Sequence, residues 1–331
     1  MSPFYPYLLA VFTNAAGELN ATAVRIFQAV CDAGTAACVS LVAGRIGGRS
    51  AAVLAGAAAA LYAPMIYFTG IILVATVQTL FLTIALVMLL HADDQPEQRN
   101  LLWTVAGVTL GFAAVLRPTI LAVVLAVVAV EAVLAWRDRD RRRVRWRAAT
   151  LLLAGAALMI APFTLRNVTR GGEPVLLSAN GGFNFFIGNN ARATGVFHLP
   201  DAVDPFHDVL GKSFAERAAG RAMTYREAGA WWRARAMADI RENPVRWIGL
   251  MAKKAALFFH PVEIPQLGAS FEWHRRHAWP LRFPLDARTV LILALLCPLA
   301  VAASAGRKPF SPFCGRPRYR PPTSPRWCRF S

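Results

Sequence analysis

Residues 118–147 have the sequence PTILAVVLAVVAVEAVLAWRDRDRRRVRWR, an apolar run that ends in a dense cluster of Arg. About 20 consecutive apolar residues are enough for a helix to cross the hydrocarbon core of a membrane. The seven Arg between residues 137 and 147 are typical of a loop on the cytoplasmic side, next to anionic lipid headgroups. This stretch therefore predicts a membrane-spanning helix and the side of the membrane on which it ends.

Apolar runs of similar length recur through the chain, which has 331 residues, 56% of them hydrophobic. The mean hydropathy of +0.41 excludes a soluble domain. We expect membrane spans at residues 22–44, 51–69, 71–91, 101–116, 118–136, 147–163 and 285–305. The predicted fold class is an all-α membrane protein, a multi-span helical bundle with one long extracytoplasmic loop region.

The predicted organisation has four parts. They are a transmembrane bundle with an extracytoplasmic N-terminal stub (1–165), an extracytoplasmic loop with amphipathic and interfacial helices (166–284), a final transmembrane helix (285–305) and a basic Pro/Arg-rich tail (306–331). Alternation of the spans places residues 45–49 and 91–100 on the cytoplasmic side. It also requires a membrane helix before Met1, and the abrupt change in composition after Ala305 is consistent with an out-of-frame tail.

The net charge of +17 points to membrane lipids as partners rather than nucleic acid, because no nucleic-acid-binding motif accompanies it. The five Cys have no spacing typical of a metal site. His274 and His277 are three residues apart, but no pattern of carboxylates completes a metal site, so an interfacial basic patch is the preferred interpretation. No metal site is predicted, and the cofactor is left unassigned.

The predicted extracytoplasmic segment contains an unusual polar stretch, SANGGFNFFIGNNARATG, at residues 178–195. Its four amide side chains are Asn180, Asn184, Asn189 and Asn190, and each offers paired donors and acceptors to a sugar or another hydroxyl-rich ligand. The alternative is turn chemistry, since Asn and Gly are common turn residues.

Several basic residues follow or flank the outer ends of the predicted spans. Arg117 and Arg166 could hold a phosphate, or could extend to the lipid headgroups as interfacial anchors. Arg25, Gln28 and Asp32 share one helix face that must point into the bundle. They could line a cavity, although satisfying neighbouring polar groups is the favoured interpretation.

The pattern of charges and aromatics predicts a surface helix over 212–242. Asn243 and Pro244 are then suited to begin a second helix that runs to about Phe259. That helix is too short to span a membrane and is predicted to lie at the interface, where Lys253 or Lys254 could reach a phosphate.

Four short patterns carry a resemblance to a known family. They are SPFYPYLL at 2–9, GVTLGFAAVLRP at 107–118, NGGFNFFIGNN at 180–190 with Thr194-Gly195, and ENPVRW at 242–247 followed by Lys253-Lys254. Together they resemble bacterial polyprenyl-phosphate-sugar-dependent glycosyltransferases of the GT-C type, related to protein O-mannosyltransferases and lipid A aminoarabinose transferases. The resemblance runs from residue 2 to about 260.

The resemblance implies a multi-pass protein of the bacterial cytoplasmic (inner) membrane. Such enzymes move a sugar from a polyprenyl-phosphate carrier to an acceptor glycan, lipid or protein at the outer face. The residues implied near the donor phosphate are Arg25, Arg117, Arg166, Lys253 and Lys254, and those near the sugar or acceptor are Asn180, Asn184, Asn189 and Asn190. The catalytic Asp of the family would precede Met1. The alternative is a non-enzymatic membrane protein: an inactive remnant, a lipid carrier or a transporter.

Overall fold

The computed structural model describes residues 4–200, 203–204, 207–208, 210–258, 260, 271–278 and 281–282. The predicted helix 285–305 and the tail 306–331 lie outside the described residues. Twelve α-helices occur in the described part: α1 Tyr5–Ala10, α2 Ala21–Ala60, α3 Ala63–Gly70, α4 Val74–Asp94, α5 Arg99–Leu116, α6 Leu121–Arg137, α7 Arg142–Thr169, α8 Gly181–Asn189, α9 Lys212–Ala219, α10 Tyr225–Glu242, α11 Pro244–Phe258 and α12 Phe271–His277. The described fold is all-α, as predicted.

Five of these elements are long and apolar enough to cross a membrane: α2, α4, α5, the segment Pro118–Arg137 and α7. The segment Pro118–Arg137 consists of a 3₁₀ turn at Pro118–Ile120 followed by α6. These elements confirm the prediction of a multi-pass membrane protein.

The long helix α2 contains a reversal of the chain. Gly48 has φ 79° and ψ −169°, a conformation that suits Gly and interrupts the helix. Beyond it the chain packs back on the first half, where the Ser40 hydroxyl donates to the carbonyl of Ala52 at 2.9 Å. The predicted cytoplasmic loop at 45–49 therefore coincides with the turn between two antiparallel segments.

The prediction of one continuous span at 51–69 was wrong. Its helix is interrupted at Leu61 and Tyr62 and resumes as α3. Pro64, in the first turn of α3, lacks the N–H that would bond to residue 60, so an unbroken helix would lose a hydrogen bond there. The interruption divides the predicted span into two shorter helical segments.

The predicted loop of Arg residues is also shorter than expected. Only residues 138–141 separate α6 from α7, and Arg142–Arg147 form the first turns of α7. Arg is a good helix former, so α7 extends well beyond the apolar run at 147–163 that marks its membrane-crossing part.

The centre of the bundle is the crossing of α5 and α7, where glycine lets the two backbones meet. A Cβ added at Gly107 would lie 2.2 Å from the carbonyl oxygen of Leu152, and one at Gly155 would lie 2.4 Å from that of Thr104. Such close approach through small residues is typical of helix packing in lipid. Helix α4 packs on α5 and α6 packs on α7, so this crossing organises the spans.

A second hydrophobic cluster joins α8, α9 and α10, which we call the α8–α10 unit. The indole of Trp232 is 1% exposed and lies against the rings of Phe183 and Phe186, with centroid distances of 5.0 and 4.6 Å. The predicted single helix at 212–242 was wrong, because α9 ends at Gly220 in the left-handed region and α10 begins after Thr224.

Two polar contacts attach the α8–α10 unit to the end of α7. The carboxylate of Glu173 accepts hydrogen bonds from the backbone N–H groups of Tyr225 and Arg226 at 2.9 and 2.8 Å. This contact places an acidic group at the N-terminus of α10, where unpaired N–H groups favour it. Asn167 on α7 also donates to the carbonyl of Val175 at 3.0 Å, which holds the connection to α8 close to α7.

Candidate functional site

The ends of several spans meet on the side of the bundle from which the chain continues to α8; we call this the α8 end. The ring of Phe4, just before α1, lies 4.9 Å from Phe112 of α5 and 6.1 Å from Phe163 of α7. Leu116, at the end of α5, packs in one cluster with Cys31 of α2 and Val77 of α4. The α8 end therefore brings together α1, the start of α2 and α4, and the ends of α5 and α7.

Gln28 and Arg25 stabilise the connection between α3 and α4. Gln28 is 1% exposed, and its amide donates to the carbonyls of Thr69 and Ile71 at 2.8 and 2.7 Å. The guanidinium of Arg25 donates to the carbonyl of Gly70 at 3.0 Å. These are backbone acceptors at a helix end, which lack intrahelical partners and must find others within a membrane protein.

Asp32, the third residue predicted on this helix face, is partly buried and lies close to the side chain of Thr69. The favoured sequence interpretation was that Arg25, Gln28 and Asp32 satisfy neighbouring polar groups. Their contacts with residues 69–71 are consistent with that role.

Arg117 and Arg166 are placed differently from Arg25. Arg117 lies at the C-terminal cap of α5, and its backbone N–H donates to Ala113. Both Arg117 and Arg166 are exposed, and within the described residues neither guanidinium has a hydrogen bond or an ion pair. Each guanidinium group therefore keeps its N–H donors without a described protein acceptor at the α8 end.

The C-terminal end of α8 is held by α11. The ammonium of Lys254 donates to the carbonyl of Gly188 at 2.6 Å and lies 3.5 Å from the amide oxygen of Asn189. The indole N–H of Trp247 donates to that same amide oxygen at 3.0 Å. Burial lowers the pKa of Lys254 from its ordinary value. The neighbouring Lys253 is exposed.

The polar stretch predicted as a loop contains α8, so the interpretation of the Asn residues changes. Asn189 and Asn190 donate to the carbonyls of Phe185 and Phe186 near the end of this helix, at 2.8 and 2.9 Å. The amide oxygen of Asn180 accepts from the Ser178 hydroxyl at 2.7 Å. Asn184 is exposed, and its side chain has no hydrogen bond to another described residue.

A groove lies between the end of α8 and α10, with a cavity of about 370 Å³. Phe186 and Ile187 supply an apolar surface, and Asn190, Arg235 and Asp239 supply polar side chains. This volume lies within the range of about 300–1,000 Å³ found for small-molecule sites. Arg235 and Asp239 were not predicted as site residues, because on the sequence they are indistinguishable from other charges of an amphipathic helix.

No group of three or more potential metal ligands occurs in the part of the chain that the structure describes. His274 and His277 lie on the short helix α12, where the ring of His274 is 5.2 Å from that of Tyr67 on α3. The polar groups found among the described residues are therefore cations, amides and the groove beside α8, and they do not form a cluster of metal ligands.

A bundle of helices long and apolar enough to cross a membrane defines the class of the protein, a multi-pass membrane protein. Residues 1–165, just under half of the chain, match the family model described as dolichyl-phosphate-mannose-protein mannosyltransferase. This match covers the predicted bundle and supports a membrane glycosyltransferase. No curated protein and no solved structure gave a significant match.

Proposed function

We propose that the chain is an integral-membrane glycosyltransferase that transfers a sugar from a polyprenyl-phosphate carrier to an acceptor glycan, lipid or protein. The observation that carries the proposal is the family match over residues 1–165. Its site is the α8 end of the bundle, where Arg117 and Arg166 are exposed.

The charge distribution supports the orientation of this site. The turn at Gly48 and the loop at 138–141 lie at the opposite end of the bundle, together with the cluster of Arg between 137 and 147. Since Lys and Arg are enriched in cytoplasmic loops, that end faces the cytoplasm and the α8 end faces outward. Transfer would therefore take place at the outer face of a bacterial cytoplasmic membrane.

The donor phosphate would be held by Arg117 and Arg166, with Lys253 as a further exposed cation. Guanidinium groups form charge-assisted and often bidentate hydrogen bonds with phosphate oxygens. Arg25 and Lys254 keep structural partners at Gly70 and Gly188, so we assign them a second role in shaping the site.

In the reaction, a hydroxyl oxygen of the acceptor bonds to the anomeric carbon of the sugar while the bond from that carbon to the phosphate oxygen breaks. The phosphate leaves with the electron pair as polyprenyl phosphate, and the hydroxyl proton passes to a carboxylate base. Arg117 would stabilise the charge that develops on the leaving phosphate. The exposed amide of Asn184 and the groove beside Asn190 would contact the sugar and the acceptor.

The test uses the full chain in proteoliposomes with polyprenyl phosphate carrying a radiolabelled sugar, supplied in parallel as mannose, glucose and aminoarabinose donors. Bacterial envelope extracts provide the acceptors. Transfer of label to a glycan, lipid or protein fraction, above liposomes without the chain, is the expected result. Binding of donors without transfer from any of them would favour a lipid carrier or transporter instead.

A further inference from the structure

At the end of the bundle opposite α8, a cavity opens between the first turns of α5 and α7. Its lining includes Arg99, Asn100 and Arg147, together with Pro96 and Val144, and contains no acidic side chain. It encloses about 190 Å³, several times the roughly 30 Å³ that one water occupies. The space is therefore large enough for a polar group and is positively charged.

The guanidinium groups of Arg99 and Arg147 each keep N–H donors that have no described protein acceptor. Arg99 donates through its Nε to the carbonyl of Ala92 at 3.2 Å, and its Nη2 is 3.9 Å from the carboxylate of Asp93. Arg147 is exposed and has no side-chain hydrogen bond or ion pair with any described residue. Both side chains retain N–H donors for an anion.

A neighbouring Arg, Arg145, is already paired with an acidic side chain. Glu131 is 5% exposed and accepts from the guanidinium of Arg145 at 3.1 and 3.2 Å. Because Arg145 is paired in this way, it does not compete with Arg147 for an anion, and Glu131 does not attract Arg147 away from the cavity.

Exposed Trp side chains occur at the same end of the bundle as the cavity. Trp146 is adjacent to Arg147 and is 47% exposed, and Trp136, at the end of α6, is 83% exposed. Exposed Trp is characteristic of the headgroup level of a bilayer. Val144 in the cavity lining and Leu101, next to Asn100 in the chain, are also exposed apolar side chains, which suit contact with lipid.

From these contacts we infer that Arg99, Asn100 and Arg147 form a binding site for the phosphate headgroup of an anionic phospholipid in the cytoplasmic leaflet. The phosphate accepts from the two guanidinium groups and from the Asn100 amide, while the acyl chains remain in the bilayer beside α5 and α7. This site is separate from the α8 end and does not depend on sugar transfer. Basic pockets between membrane helices are suited to such headgroups.

The test measures equilibrium binding of fluorescent phosphatidylglycerol to the purified full chain in detergent. Arg147→Gln removes an unpaired charge and should weaken binding about fivefold. The double substitution Arg99→Gln with Arg147→Gln should weaken binding about 25-fold. The matched control is Arg139→Gln combined with Arg142→Gln, two exposed Arg outside the cavity lining. This control should change binding less than twofold.

Equal weakening by both pairs of substitutions would overturn the site and leave only a diffuse basic surface. Unchanged binding in Arg147→Gln would also overturn it. Displacement of phosphatidylglycerol by an equal concentration of inorganic phosphate would show that the site selects a free anion rather than a lipid. The melting temperature of each variant is measured alongside, so that a loss of folding is not taken for a loss of binding.

Discussion

The ammonium group of Lys254 on α11 donates a hydrogen bond of 2.6 Å to the main-chain oxygen of Gly188 on α8. Gly188 belongs to the last turn of α8, whose carbonyls lack intrahelical partners and carry the negative end of the helix dipole. The lysine therefore attaches α11 to the end of α8. Its partner is a backbone atom rather than a side chain, which no sequence pattern indicates.

This relationship predicts that Lys254→Met releases α11 from α8. A hydrogen bond from a charged donor contributes about 1.5–3 kcal/mol, so local opening of α11 should become at least tenfold more frequent. Hydrogen exchange of the backbone amides in α11 measures this opening. Lys253→Met is the control, because Lys253 is exposed, and it should leave the exchange rates unchanged.

Because α5 and α7 are in close contact at their crossing, one added methyl group should lower the stability of the bundle. Gly107→Ala places a Cβ 2.2 Å from the Leu152 carbonyl oxygen, so the helices must separate. The expected loss of stability is about 1–3 kcal/mol, observed as a lower melting temperature in detergent. Gly249→Ala on α11 is the matched change, since no atom lies within 4 Å of its added Cβ; equal melting temperatures for the two variants would contradict the packing.

The start of α10 should be sensitive to acid. Thr224 and Glu227 form a reciprocal cap, and hydrogen bonds from the Thr224 backbone, together with Arg221, lower the pKa of Glu227 to about 2. A lowered pKa contributes stability that is complete above the unfolded value near 4.5 and is lost as the pH falls towards 2.

Hydrogen exchange at the first turn of α10, followed from pH 5 to pH 2, measures this loss after correction for intrinsic exchange. Glu227→Gln should show a much weaker dependence in that window. The pKa of Glu216 is also lowered, chiefly by a hydrogen bond from the backbone N–H of Met223, so a residual dependence from the end of α9 is expected in the variant. An identical pH profile in parent and variant would show that the cap does not control this turn.

Two Asn residues of the polar stretch should behave differently when replaced by Ala. Asn184 is exposed and lacks a described side-chain partner, so Asn184→Ala should reduce sugar transfer several-fold without a change in melting temperature. Asn190 donates to Phe186 and accepts from the N–H of Arg192 at 2.8 Å, so Asn190→Ala should cost stability of about 1 kcal/mol or more. Unaltered transfer by Asn184→Ala would remove that residue from the proposed site.

The sequence predicts the bounds of three consecutive spans well, because hydrophobicity alone determines them. The spans at 71–91, 101–116 and 118–136 correspond to helices with ends within a few residues, and the helix that begins at Pro244 was also predicted. The break at Leu61 and Tyr62 was missed, because an apolar run shows no change of composition where a helix is interrupted. The helical start of α7 was missed because Arg suits both a loop and a helix.

The structure of the candidate site was harder to predict from the sequence than the spans were. The stretch that forms α8 was predicted as part of the extracytoplasmic loop, with turn chemistry of Asn and Gly as the alternative. It is helical because Phe183 and Phe186 are buried against Trp232, and because Gly182 allows close approach to Gly229 on α10. Those are contacts between residues more than 40 positions apart, which local patterns do not contain. The exposed state of Arg117 and Arg166, by contrast, agrees with their predicted positions at the ends of spans.

In the proposed reaction, a lipid-linked sugar is transferred while Arg117 holds its phosphate. The most direct measurement is the initial rate of sugar transfer from polyprenyl phosphate as a function of donor concentration, for the parent chain, Arg117→Gln and Arg217→Gln. Arg217 is an exposed residue of α9 and serves as the control. We expect a rate at low donor concentration that is at least tenfold lower in Arg117→Gln and unchanged in Arg217→Gln. The same concentration dependence in all three proteins would contradict it.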